Sequence, residues 1–323
     1  MFTLAELEAA AGLVHARMPP TPAHAWPLLA GRTGAEVWIK HENHTPTGAF
    51  KLRGGLVYLD ELARAEPGCP GLVTATRGNH GQSIPFAARA HGLPVTVYVP
   101  EGNATDKNRA MQAWGARLVV EGHDFEAARL ASVAHAEAAG LHLVPSYHPL
   151  LVRGVATYAL ELFRDVPDLD AVYVPIGLGS GISGLIRTRD LLGLKTEIVG
   201  VVAAGADAYA RAFEAGRPVA TERAVSFADG MACRVPVPEA VAVICRGAAR
   251  VLRLSEPELA AAVRMLFADT HNVAEGAGAA AFAGLWQERE RMAGKRVAAI
   301  LCGGNIDAAW FAEILSGGVP VPA

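Results

Sequence analysis

From Gly71 onward the chain repeats one pattern: a short apolar run, a polar or glycine-rich link, then a stretch with helical periodicity. Strands are expected over 72–74, 95–99, 118–120 and 141–144, with helices over 82–91, 105–114 and 125–139 between them. After Pro149 the alternation resumes with a helix over 152–163, a strand over 171–174, a glycine-rich turn, a helix over 182–192 and a strand over 197–202. A strand over 250–254, a helix over 256–269 and a last strand over 297–301 complete it. Strand–helix–strand alternation with short links fits parallel twisted sheets covered by helices on both faces, an α/β fold. Two blocks are visible. Residues 1–54 plus 148–323 form the larger, and 55–147 a smaller inserted α/β domain. No repeat of fixed period is present, and little chain follows the last expected strand to form a regulatory module.

Composition narrows the class. The 323 residues are 51% hydrophobic with 34 glycines and a net charge of -3, an ordinary globular enzyme without the basic surplus that attracts nucleic acid. No apolar run reaches membrane-spanning length. Leu4, Leu7, Ala11 and Val14 fall at helical spacing around Glu6 and Glu8, unlike the basic start and apolar centre of a signal peptide. Cys69, Cys233, Cys245 and Cys302 form no zinc spacing, so the expectation is a reduced, cytoplasmic chain. His41 and His44 lie where strand gives way to loop with no third ligand in view, and no metal is expected there.

Four segments carry chemistry. Thr47-Gly48-Ala49-Phe50-Lys51-Leu52-Arg53-Gly54 puts a lysine at the mouth of a helix, with no carboxylate in the next four residues. Burial or a nearby cation would lower its pKa and free the amine as a nucleophile. Arg53 is a candidate for that cation, or else the partner of a carboxylate or phosphate elsewhere; the alternative for Lys51 is a solvated surface charge. Pro175-Ile176-Gly177-Leu178-Gly179-Ser180-Gly181 follows a strand and opens a helix, as an anion-binding loop does, although a tight turn without ligand has the same composition. Thr76-Arg77-Gly78-Asn79-His80 and Cys302-Gly303-Gly304-Asn305-Ile306-Asp307 sit likewise at strand ends, where open α/β sheets bind ligands. Their plain alternatives are helix caps at Asn79, Asn305 or Asp307, and a buried core cysteine at Cys302.

In this order and spacing the four segments, with Ala228-Asp229-Gly230 and Ala274-Glu275-Gly276-Ala277, resemble the fold-type II pyridoxal-phosphate enzymes, in the threonine/serine dehydratase and serine racemase branch. The resemblance runs from about Pro22 to Asp307. It implies a two-domain fold like that of the tryptophan synthase β chain, pyridoxal 5'-phosphate as cofactor, a small amino-acid substrate and a homodimer. Lys51 would form the internal Schiff base and act as base at Cα, with Phe50 flanking the cofactor. Asn79 would bind the ring oxygen, and Gly177, Leu178, Gly179, Ser180 and Gly181 the phosphate. Cys302 would face the pyridine nitrogen as a neutral thiol, a setting that favours prompt loss of a β-leaving group. Thr76, Arg77, Gly78, Asn79 and His80 would bind substrate. The implied reaction is β-elimination of a hydroxy amino acid such as threonine or serine to a 2-oxo acid and ammonia.

The chain departs from that pattern at Arg77, where the branch usually carries a serine. An arginine stays charged and cannot shuttle a proton, which argues against racemisation and for binding the α-carboxylate or a distal one, with 3-hydroxyaspartate or another longer hydroxylated amino acid as the alternative substrate. A salt bridge without substrate contact is the alternative. Gly205 stands where the racemase-like enzymes place a metal-binding acid, and Gly154-Val155-Ala156-Thr157 replaces Gly-Gln-Gly-Thr. A non-catalytic nucleotide- or anion-binding α/β protein with Lys51 as a phosphate contact remains the reading outside enzymes. β-Replacement would need a second nucleophile pocket.

Overall fold

The computed structural model describes residues 1–321. Ten strands form two sheets. One holds β1 (Ala23–Ala25), β2 (Glu36–His41), β7 (Ala171–Pro175), β8 (Glu197–Ala203), β9 (Arg250–Leu254) and β10 (Arg296–Leu301), in the order β1-β2-β10-β7-β8-β9. The other holds β3 (Leu72–Ala75), β4 (Val95–Val99), β5 (Arg117–Val120) and β6 (His142–Leu143), in the order β5-β4-β3-β6. Every pairing is parallel except β1 with β2. Strands β7, β8 and β10 are apolar almost without interruption because helices cover both of their faces, leaving no side for polar residues. The N-terminal segment joins the larger sheet, with Val37 of β2 in register with Val297 of β10.

Local chemistry explains most boundaries. Asp124 caps the Phe125–Ala139 helix by accepting from the Ala127 N–H at 2.8 Å, and Gly140 ends it with φ of 64°. Ser255 and Glu258 form a capping box that starts Glu256–Thr270. The helix expected over 152–163 is two helices, Pro149–Val155 and Thr157–Asp165. Thr157 Oγ1 donates to the Gly154 carbonyl at 2.8 Å and competes for the main-chain acceptor. Ala156 is also pressed against Gly184, where an added Cβ would lie 3.1 Å from the Ala156 Cα. The helix expected over 82–91 begins at Asn79, runs to Ala88 and tightens into a 3₁₀ turn over Arg89–His91.

The Lys51–Ala65 helix is the hub. Its Gly54 abuts the Leu151 carbonyl and its Gly55 the Ser83 carbonyl, where added Cβ atoms would come within 2.9 and 3.0 Å. Such contacts fix the helix between Pro149–Val155 and Asn79–Ala88 to within a few tenths of an ångström. The larger core surrounds the six-stranded sheet, and a second lies between this helix and β3 and β4. Among the described residues no helix is long and apolar enough to cross a membrane.

Candidate active site

The loops leaving the carboxyl ends of β3, β7 and β10, with the mouth of the Lys51–Ala65 helix, border one cavity of about 390 Å³. On its wall lie Phe50, Lys51, Thr76, Arg77, Gly78, Asn79, His80, Gly177, Leu178, Gly179, Ser180, Gly181 and Cys302. These thirteen residues are the cofactor and substrate contacts that the resemblance implies, drawn from four segments far apart along the chain.

Lys51 is held by its neighbours' backbone. Phe50 N–H donates to the Cys302 carbonyl at 3.0 Å, Gly304 N–H donates to the Gly48 carbonyl at 2.9 Å, and Thr45 Oγ1 bonds both the N–H and the carbonyl of Ala49. The helix mouth is thereby stitched to the exit of β10. The Lys51 ammonium donates to Ser180 Oγ at 3.1 Å, lies 5.1 Å from the centre of the Phe50 ring and has no carboxylate in ion-pair distance among the described residues. Burial lowers its pKa from 10.5 to about 8. Arg53 is not the cation responsible. Its guanidinium points away into a buried cluster with Glu42 and Glu161, the carboxylate-partner alternative.

The β7 loop offers donors. Among the described residues, none of the N–H groups of 177–181 donates to a protein acceptor. Two tyrosines pin the loop's carbonyls outward: Tyr209 donates to Leu178 O at 2.8 Å and Tyr158 to Gly181 O at 3.1 Å. Gly179 has φ of 92°, and a Cβ on Gly177 would lie 2.3 Å from the Gly230 carbonyl, so side chains are excluded at both positions. Five free N–H groups at a helix start form an anion cradle.

Asn79 is not a cap; Gly78 occupies that position. The Asn79 amide donates to Glu275 Oε1 at 2.6 Å and accepts at Oδ1 from Asn305 Nδ2 at 2.8 Å, leaving one N–H for a ligand. Asn305 is likewise no cap, and Asp307 occupies a cap position without making the cap bond. Buried Lys107 donates to Asp229 at 2.7 Å and lies 3.1 Å from Glu275 Oε2, an ion contact that lacks hydrogen-bond alignment. Burial raises the Glu275 carboxyl despite that lysine, while two carboxylates raise Lys107 against its own burial. Lys107 and the orienting roles of Glu275 and Asn305 were missed from sequence. A lysine in a polar helical stretch carries no sign that it is buried.

The remaining wall groups divide by duty. Thr76 Oγ1 accepts from Gly78 N–H at 2.9 Å and shapes its own loop. His80 is buried against Thr74, and burial together with the nearby Lys51 charge holds its pKa down to about 3, so it is neutral. Cys302 is buried and its thiol is pushed well above the ordinary range by burial, so it too is neutral. Arg77 is half-buried, and its Nε is closed off from solvent with no acceptor. The salt bridge considered for it is absent among the described residues.

A nucleophilic amine, an N–H cradle, an oriented amide and a neutral thiol around a cavity of this size suit a planar aldehyde cofactor carrying a phosphate. The fold and site define an α/β enzyme of lysine-dependent carbonyl chemistry. Residues 16–303 match the family model described as pyridoxal-phosphate dependent enzyme, and the chain belongs to that family. It is 32% identical over 289 residues to an L-threonine ammonia-lyase of Geobacter sulfurreducens, covering 89% of this chain and 72% of that protein. It is 30% identical over 298 residues to an L-threo-3-hydroxyaspartate ammonia-lyase of Saccharomyces cerevisiae, covering 92% and 91%. Among solved structures, the processed form of threonine deaminase isoform 2 from Solanum lycopersicum superposes with a TM-score of 0.88 at 25% identity, over 98% of this chain and 94% of that one. The chain is a pyridoxal-phosphate dependent enzyme of the ammonia-lyase type, against the non-catalytic alternative.

Proposed function

We propose that this protein eliminates the β-hydroxyl of a small amino acid, with threonine or serine as the reference substrates, releasing a 2-oxo acid and ammonia. The observation that carries the reading is the Lys51 amine: buried, without a carboxylate partner, and facing five free N–H groups across one cavity. Pyridoxal phosphate, when bound, supplies an aldehyde carbon that captures a primary amine and a ring that draws electrons from Cα. Lys51 would hold that carbon, the 177–181 loop the phosphate, Asn79 the ring oxygen and Cys302 the edge bearing the ring nitrogen. The neutral thiol leaves the nitrogen without a carboxylate to keep it protonated, which favours rapid departure of a β-group.

Once freed, the Lys51 amine is the base placed to take the Cα proton, and its depressed pKa leaves a usable neutral fraction near pH 7 to 8. Ser180 Oγ orients that nitrogen. The loop from Thr76 to His80, at the start of the Asn79–Ala88 helix, is suited to the α-carboxylate through helix-start N–H groups. Glu275 and Asn305 fix the Asn79 amide from both sides. A guanidinium is a poor proton shuttle, so Arg77 does not supply the acid and base that racemisation requires.

The same reading carries a domain division at 1–54 plus 148–323 and 55–147, supported by the two separate sheets, while the Lys51–Ala65 helix runs unbroken across position 54 and joins the two blocks. It also carries a homodimer, supported by the resemblance, and a cytoplasmic location, supported by the cysteine pattern, which sedimentation and fractionation check. The test of function is direct. Purified protein with the cofactor should turn yellow, be fixed by borohydride at Lys51 and release 2-oxo acid from serine or threonine. Lys51→Ala should lose the borohydride-fixed cofactor and about 10³-fold or more of the turnover. A colourless wild type, or a Lys51→Ala variant that still turns over, would sink the reading.

A further inference from the structure

We propose that the cavity contains a second anion place, formed by Arg77, Arg223 and Arg234, that receives the side-chain carboxylate of a β-hydroxy amino acid bearing two acid groups. This rests on the elimination reading above and names the substrate class of the same site. Arg77 leaves the end of β3 with its Nε buried and unpaired. Arg223 and Arg234 border the same cavity from the segment 222–235. Among the described residues none of the three guanidinium groups lies within ion-pair distance of a carboxylate or donates a hydrogen bond. Arg77 and Arg234 are half-buried and Arg223 is exposed, whereas the partly buried Arg153, Arg250 and Arg253 are paired with acids.

Four of the cavity's five acids are engaged elsewhere. Asp229 and Glu275 face Lys107. Glu126 is bound by Arg129 through two hydrogen bonds, and Asp124 caps its helix. Glu222 is exposed. Arg234 lies near enough to Glu126 to help hold that carboxyl low, after the larger effect of the Arg129 hydrogen bonds, yet it makes no ion pair with it. Guanidinium groups on the wall of one cavity attract an anion into it, and each presents the planar pair of donors that a carboxylate accepts. The cofactor phosphate already has its cradle in the 177–181 N–H groups, and the α-carboxylate has the helix start. The group left for the arginines is a second carboxylate on the substrate side chain, the chemistry of 3-hydroxyaspartate.

Two measurements on the cofactor-loaded enzyme decide it. Calorimetric titration with L-aspartate and L-alanine, neither of which carries a β-hydroxyl, should show aspartate bound about tenfold or more tightly, and Arg77→Ala should remove most of that preference. Oxo-acid release should show Arg77→Ala losing about tenfold more kcat/KM on 3-hydroxyaspartate than on serine, with Arg234→Ala shifting the ratio the same way and Arg77→Lys falling between. No aspartate preference in the wild type, or equal losses on both substrates, would overturn the proposal. So would an Arg77→Ala variant that weakens pyridoxal-phosphate binding with the aspartate-to-alanine ratio unchanged, because the guanidinium would then serve the cofactor. An arginine-dependent aspartate preference without elimination from any substrate would uphold the second anion place and defeat the elimination reading.

Discussion

Lys51 and Arg53 stand two residues apart in the first turn of one helix, and their surroundings are opposite. Arg53 is fully buried and makes six hydrogen bonds, to Glu42, Glu161, Thr21 and Thr157, while Lys40 completes the cluster by donating to Glu161 at 2.6 Å. Lys51 has one hydroxyl and an aromatic ring. Burial lowers the pKa of both, but only Arg53 has carboxylates that more than reverse the effect. A buried cation with complete partners is a structural pin; one left without them is a reactive amine. The helix needs both, because the paired arginine holds the turn rigid from which the lysine projects.

The largest expected effect short of abolishing turnover is on the pin. Arg53→Met should cost about 3–5 kcal/mol in urea unfolding, since Glu42 and Glu161 would be left buried with only Lys40, Thr21 and His15 as partners. A loss under about 1 kcal/mol would mean the cluster does not anchor the helix. The lysine should behave oppositely. In cofactor-free protein Lys51→Met should raise stability by about 1–3 kcal/mol at pH 7, since it removes a charge that the fold disfavours. Between pH 8 and 10.5 the unfolded lysine keeps a proton that the folded one sheds, so wild-type stability rises with pH and the variant's advantage fades. An advantage that persists undiminished at pH 10.5 would locate its origin in packing.

An effect spread over pH comes from the buried histidines. His80 and His41 are both held down to about 3, His80 by burial and Lys51, His41 by burial and the neighbouring His44 and His24. Below pH 6.5 the unfolded chain binds protons that the folded one refuses. Stability should therefore fall on acidification, by about 1.4 kcal/mol per pH unit for each histidine. The urea midpoint measured between pH 7 and 5 should drop, and His41→Asn with His80→Gln should flatten the slope. Glu161, held at about 2 mainly by Arg53 and Lys40 against its burial, adds a loss of the same sign only below pH 4.5.

Much of the fold was legible because buried parallel strands are apolar on both faces. The strands over 95–99 and 250–254 and the helix over 125–139 match residue for residue. The break at Ala156 was not legible: it depends on Gly184 arriving from another helix. Asn79 read as a cap on local grounds, and only the approach of Glu275 and Asn305, each about two hundred positions away, claims its amide.

Short-range chemistry, then, was written in the chain itself: where backbone turns, where apolar runs become strands, and which loops could present N–H groups to an anion. Those properties depend on a few adjacent residues. Which ionisable side chains are paired was decided by tertiary structure alone. Arg53, Lys51, Lys107 and Arg77 look alike as charged letters, and their pKa values and duties depend on carboxylates brought near, or kept away, by packing between distant segments.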